Sequence, residues 1–264
     1  MANRAAPIGV FDSGIGGLSV LKALRAQLPH ESFVYFADSA NQPYGEKGDA
    51  FVAARSQTIV RELVKEHQIK ALVVACNTAT AAAVRELRLI YPALPLVGIE
   101  PAIKPAARLS QTRHIGVIAT RGTVQSAKLA RLLERHGGDA TFICRACDGL
   151  AEAIEQRSGR DNSAQIQALL EQHLAAMGTF GDAPGQMDTL VLGCTHYPLV
   201  QDLIQHAVGP QVRLLETGVP VARYTAQLLA EHGLLRDASS PPTLQLLTSA
   251  EPAHIAQAAA FWGV

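Results

Sequence analysis

The chain lacks net charge: 23 lysines and arginines are balanced by 23 aspartates and glutamates. An electrostatic hold on nucleic acid or an acidic membrane surface needs an excess of basic residues, so neither is expected as a partner. It also lacks any long apolar run. No stretch approaches the roughly 18 residues of a membrane span. The apolar segment Ile8 to Phe11 is too short for a cleavable signal and turns at once into a glycine-rich loop. The expected location is cytoplasmic. Cysteines are few, at 76, 144, 147 and 194, and in a cytosolic chain of this size they read as free thiols rather than a disulfide framework. Cys144-Arg-Ala-Cys147 has no second CxxC and no neighbouring histidine, so a zinc or thioredoxin-like reading is incomplete and both cysteines are read as structural.

What the sequence holds instead is alternation. Its 264 residues, 48% of them hydrophobic, suffice for one large α/β domain or two smaller ones with separate cores. Short apolar runs alternate with longer stretches of 3.6-residue period, the pattern of parallel sheets covered by helices. Strands are expected at Ile8–Asp12, Ser32–Ala37, Ala71–Ala75, Leu96–Ile99, Ile115–Ala119, Ala140–Cys144, Thr189–Gly193 and Val212–Leu215, with a last one at Thr243–Thr248 before a terminal helix. Helices are expected at Leu18–Gln27, Phe51–Glu66, Ala79–Tyr91, Ile103–Ser110, Val124–His136, Ala151–Gln156, Ser163–Met177, Leu199–Ala207 and Val219–His232. Segments 178–186 and 238–242 read as connectors.

The two halves repeat. IGVFDSGIGG (8–17) parallels IGVIATRGTV (115–124), and ALVVACNT (71–78) parallels TLVLGCTH (189–196). Two similar α/β lobes related by a pseudo-twofold axis follow, each with one cysteine, Cys76 or Cys194, at the end of an equivalent strand.

Such a position changes thiol chemistry. A cysteine between a parallel strand and a helix start meets the positive helix terminus, which lowers its pKa from about 8.5, while burial raises it. Asn77, Thr78 and Thr195 add amide and hydroxyl donors able to hold a carboxylate beside the sulfur. For one such cysteine inert burial is as good a reading as function; two in equivalent positions favour function. One thiolate alone would be a covalent nucleophile. With His196 the pair would make a poor zinc site, because C-x-H leaves the other thiolate distant. Opposed across one substrate carbon, the thiols would remove a proton from one face and return it on the other. His196 either hydrogen-bonds at the helix start or helps Cys194 exchange its proton, and Asp12 plays the equivalent part near Cys76.

FDSGIGGLSV (11–20) resembles a dinucleotide fingerprint at a strand-to-helix turn, with Asp38 as a mimic of the acidic ribose ligand. Ser19 occupies the third glycine position, however, and Asp12 and Ser13 place a carboxylate and a hydroxyl where a pyrophosphate would lie. That suits an ammonium or a proton relay better; a merely structural turn is the alternative. In ADSANQPYGEK (37–47), Pro43, Tyr44 and Gly45 either wall a small pocket or form an ordinary turn. None of these motifs holds a lysine for a pyridoxal Schiff base.

FDSGIGGLSV, ADSANQPYGEK, KALVVACNTATA, ATRGTVQS, TLVLGCTHYPL and LLTSAEPAHIAQAAAFWG occur in this order over almost the whole chain. The set resembles the glutamate racemases, a family of cofactor-independent amino-acid racemases. The resemblance implies two pseudo-symmetric Rossmann-like α/β lobes with mainly parallel sheets and the active site in the cleft between them. Residues 1–98 and 210–264 would form the first lobe and 99–209 the second. It implies interconversion of L- and D-glutamate, supplying D-glutamate for peptidoglycan, without metal or pyridoxal phosphate; glutamate would be the partner, with a homodimer as one assembly. Cys76 would take the α-proton of D-glutamate and Cys194 that of L-glutamate, assisted by Asp12 and His196. Asp12, Ser13, Pro43, Tyr44, Gly45, Asn77, Thr78, Thr195 and His196 would bind the substrate, with Thr120 and Thr123 near by. An ungapped match of RACDGLAEAIE places the acidic helper at Glu155; a small shift would choose Glu152.

The chain departs from the family pattern at Asp148, where a proline is usual, and in GTFGDAPGQMD, which lengthens the approach to the second cysteine strand. It begins within a few residues of its first strand, without the long extension of members that need a cell-wall precursor as activator, and no such requirement is expected. Two rivals share these motifs: an aspartate or broad-specificity racemase, and a binding role like that of family members that also inhibit DNA gyrase.

Overall fold

The computed structural model describes residues 3–158, 161–238 and 240–264, so Ser239 of the connector 238–242 lies outside the described residues. The strands are β1 Ile8–Asp12, β2 Phe33–Ala37, β3 Ala71–Val74, β4 Leu96–Gly98, β5 His114–Ala119, β6 Thr141–Ala146, β7 Thr189–Leu192, β8 Arg213–Leu215 and β9 Leu244–Thr248. The helices are α1 Leu18–Gln27, α2 Asp49–His67, α3 Asn77–Ile90, α4 Ile103–Leu109, α5 Arg121–Val124, α6 Ala127–His136, α7 Leu150–Glu155, α8 Ser163–Ala175, α9 Gln201–Val208, α10 Gly218–Glu231 and α11 Pro252–Trp262.

Two parallel sheets result, ordered β4-β3-β1-β2-β9 and β6-β5-β7-β8. Reversing the second order gives β8-β7-β5-β6, which is the first order with each strand advanced by four, and β9 is an addition beside β2. The internal repeat in the sequence is thus a repeat of topology. Every residue of β1, β2, β3 and β7 is buried, as continuous apolar runs require when helices cover both faces of a sheet. On the first sheet, Leu18, Leu21, Leu24, Val221 and Ile255 pack on one face, and Ile59, Leu63, Ala83 and Leu87 on the other. Each buried leucine or isoleucine contributes about 1.5–3 kcal/mol. The second sheet is covered by Ile154, Leu170 and Ile204 on one side and by Ile103 and Leu129 on the other.

Three expectations need correction. β8 pairs with β7 in the second sheet, Leu190 opposite Leu214 and Val191 opposite Leu215. The lobe boundary expected at residue 210 therefore falls before a strand of the second lobe, because this apolar run extends that sheet's edge. The helix expected at Val124–His136 is two helices. The Ser126 hydroxyl accepts the Leu129 amide (3.1 Å) and starts α6 afresh. The helix expected from Leu199 opens as a 3-10 turn, Tyr197–Val200, before α9. Among the described residues, no helix is long and apolar enough to cross a membrane.

Candidate active site

In an open parallel sheet, ligands collect where the strand order reverses, outside the carboxyl ends of the strands. In the first sheet that point lies between β1 and β3, and in the second between β5 and β7. Ser13 follows β1, Cys76 follows β3, Thr120 follows β5 and Cys194 follows β7. All four line one small cavity, ≈ 20 Å³, with Gln42, Pro43, Gly45, Asn77, Thr78, Ala151, Gly193, Thr195 and His196. Larger surface hollows, ≈ 610 Å³ beside α8 and α9 and ≈ 500 Å³ beside Tyr91–Pro95, carry no comparable set of reactive side chains.

On the first-lobe wall, Cys76 caps α3, its sulfur accepting the Ala79 amide at 3.4 Å. Its thiol donates to the Ser13 hydroxyl (3.6 Å), which donates to Asp12 Oδ1 (3.3 Å). Asp12 also accepts the Gly14 amide (2.8 Å) and, from the other lobe, the Thr195 hydroxyl (2.9 Å). Burial raises the Asp12 pKa to about 6 against the lowering influence of His196 and those hydrogen bonds. Burial, reinforced by the charge of Asp12, pushes the Cys76 thiol up to about 12, so at neutral pH it rests as a proton donor.

On the second-lobe wall, Cys194 Sγ lies 3.7 Å from His196 Nδ1, and His196 Nε2 lies 2.6 Å from Glu155 Oε2. Burial alone would lower the His196 pKa, but its hydrogen bonds to Cys194 and Glu155 together outweigh burial and raise it well above the usual value. The ring is then charged at neutral pH, with Nε2–H facing Glu155 and Nδ1–H facing the Cys194 sulfur. Of the two acidic candidates on α7, Glu155 is the buried one and Glu152 is exposed. Each thiol thus has its own hydrogen-bonded chain: Cys76–Ser13–Asp12 and Cys194–His196–Glu155.

The cavity also holds polar groups that await a partner. Asn77 is buried, and neither its amide nitrogen nor its oxygen has a hydrogen-bond partner among the described residues. A buried amide left so is costly unless a ligand satisfies it. The Thr78 hydroxyl meets those of Thr120 (2.9 Å) and Thr123 (3.4 Å), joining the two lobes beside Asn77. Asp12, Tyr44, Thr123 and Glu155 stand behind the wall rather than in it. Tyr44 turns away from the cavity: its hydroxyl donates to Asp38 (2.5 Å) and its ring packs edge-on against Phe11.

Asp38 is therefore no ribose ligand. It is held by Arg55 through two bonds (2.6 and 3.0 Å), by Tyr44 and by Asn41 (3.0 Å). Burial would raise its pKa, but these donors, Arg55 first, hold it below the usual carboxylate value. This buried hub fixes the loop carrying Gln42, Pro43 and Gly45. The sequence reading missed Arg55, Gln42, Ala151 and Gly193; an arginine three residues after Val52 and four before Ile59, on the packing face of α2, was the available signal for the first. The Ile15 amide, just ahead of α1, does donate to an anion, but that anion is the Glu155 carboxylate (3.2 and 3.0 Å). A Cβ on Gly14 would stand 2.4 Å from Glu155 Oε2, and one on Gly16 2.4 Å from His196 Nδ1, so glycine is needed there for close approach.

The profile of the Asp/Glu/Hydantoin racemase family matches residues 8–225. The chain is 48% identical to the glutamate racemase of Stutzerimonas stutzeri over 97% of its length and 94% of that protein's. It is also 48% identical to the glutamate racemase of Cupriavidus pinatubonensis, over 97% and 90%. Its fold is similar to that of the glutamate racemase isoform RacE1 from Bacillus anthracis, with a TM-score of 0.85 at 32% identity over 98% of this chain and 94% of that one. The Escherichia coli glutamate racemase in complex with L-glutamate and the activator UDP-MurNAc-ala gives 0.84 at 34% identity, over 98% and 94%.

Proposed function

The chain belongs to the Asp/Glu/Hydantoin racemase family, and from that premise we propose that it interconverts L- and D-glutamate by proton transfer between two thiols. The observation that carries the mechanism is the pair of hydrogen-bonded chains, one from each lobe, ending in Cys76 and Cys194 at a single cavity. A lone nucleophile would need only one of them.

In the L to D direction, Cys194 takes the α-proton, helped by His196, whose positive charge Glu155 offsets; Cys76 delivers its proton to the opposite face. In the D to L direction, Cys76 is the base and passes its proton through Ser13 toward Asp12. Substrate ammonium beside Asp12 offsets the charge that raises the Cys76 pKa, so binding brings that thiol nearer to ionisation. The unpartnered Asn77 amide and the hydroxyls of Thr78 and Thr120 are neutral donors for the carboxylates, preorganised before the carbanion forms. Among the described residues no lysine lines the cavity, so a pyridoxal Schiff base lacks its amine there. The product D-glutamate supplies peptidoglycan synthesis in the cytoplasm.

The test is the optical signal of L-glutamate incubated with the protein, beside L-aspartate. Loss of circular dichroism from glutamate supports the reading, and faster loss from aspartate would favour the aspartate rival.

A further inference from the structure

Glu155 belongs to the second lobe, yet donors from the first hold it. The Ile15 amide reaches both carboxylate oxygens, at 3.2 and 3.0 Å, and the Ser39 hydroxyl donates to Oε1 at 3.3 Å, while Oε2 faces His196. The Cys194 chain is therefore complete only when the lobes are together. The Cys76 chain is different, because Cys76, Ser13 and Asp12 all lie in the first lobe and their mutual bonds do not cross the cleft.

We propose that Ser39 is a positioning residue for Cys194: with the Ile15 amide it fixes Glu155 across the seam between the lobes and so completes the Cys194 chain. This rests on the racemase reading above. The charged imidazole beside Cys194 is held by a carboxylate whose orientation these donors maintain. Ser39 is half-buried, at the start of the short turn Ser39–Asn41 after β2, and belongs to none of the apolar clusters. Its removal disturbs the carboxylate and not the core.

Because the substrates are enantiomers with an equilibrium constant of one, kcat/KM must fall equally in both directions, and isotope effects separate the two thiols. The experiment compares the protein with Ser39→Ala and Ser39→Thr, using α-deuterated L- and D-glutamate. Ser39→Ala is expected to lower kcat/KM about three- to tenfold. It should also raise the isotope effect from L-glutamate, where Cys194 abstracts, and lower that from D-glutamate; Ser39→Thr should restore both. Isotope effects that stay fixed or move together overturn the proposal. A second measurement needs no turnover: iodoacetamide labelling of the substrate-free protein, read by peptide mass. Ser39→Ala should slow labelling of Cys194 relative to Cys76, and an unchanged ratio overturns the proposal. If the ratio shifts while the unaltered protein racemises no glutamate, the racemase reading fails and the positioning role stands.

Discussion

At the scale of single residues, the chemistry depends on holding charges where burial resists them. Asp12 is the clearest case. Both folded and unfolded states bind its proton below pH 3.8; between there and about 6 the unfolded chain ionises first, so stability falls as pH rises through that window and stays reduced above it. The cost is on the order of 3 kcal/mol. Asp12→Asn is therefore expected to lower turnover at least 100-fold (a rough figure for loss of an acid–base group) while raising stability by about 2 kcal/mol at pH 7 and by little at pH 4. Denaturant melts at the two pH values check this. Gly14→Ala, with its Cβ 2.4 Å from Glu155 Oε2, should suppress turnover in a protein that still folds, as thermal melts and kinetics would show. Residues with chemistry at strand ends, such as Cys76 and Cys194, were legible because their type and place in a repeat both spoke. Ser39 and Arg55 were not, because a hydroxyl or guanidinium gains its meaning only from a carboxylate 116 or 17 residues away.

At the scale of elements, the helix starts carry the function. Cys76 is the N-cap of α3 and, in the proposed reaction, an acid–base thiol; serine can replace it in the first role but not the second. Cys76→Ser should be nearly inactive at undiminished stability, whereas Cys76→Ala should be equally inactive and less stable by about 1 kcal/mol; equal melting temperatures for the two would contradict the cap. Strands and most helices were legible because buried parallel strands read as unbroken apolar runs. The break between α5 and α6 was not, since the helical apolar period continues across Ser126 and only that residue's cap interrupts it. The membership of β8 was hidden for a related reason: a three-residue apolar strand does not state which sheet edge it joins.

At the scale of the molecule, the duplicated fold matches the symmetry of the proposed reaction. Two sheets of the same order present their switch points to one cavity, and each supplies one thiol, the arrangement that the proposed two-sided proton transfer needs. The lobes are joined by bonds that belong to the site itself: Thr195 to Asp12, Ser19 to the Thr195 carbonyl (2.9 Å), Ile15 and Ser39 to Glu155, and Thr78 to Thr120 and Thr123. Loosening that seam with Thr123→Val is expected to raise KM several-fold and change kcat less, by loss of one or two neutral hydrogen bonds of about 1 kcal/mol each; steady-state kinetics with both enantiomers would show it. The most direct measurement of the central claim is incubation of the protein and its Cys194→Ser variant with L-glutamate in heavy water, following circular dichroism and the Cα proton signal together. The account predicts that the unaltered protein abolishes the optical signal and places solvent deuterium at Cα, and that the variant does neither at a comparable rate. Full racemisation by Cys194→Ser, or retention of the original proton in the D-product, would contradict it.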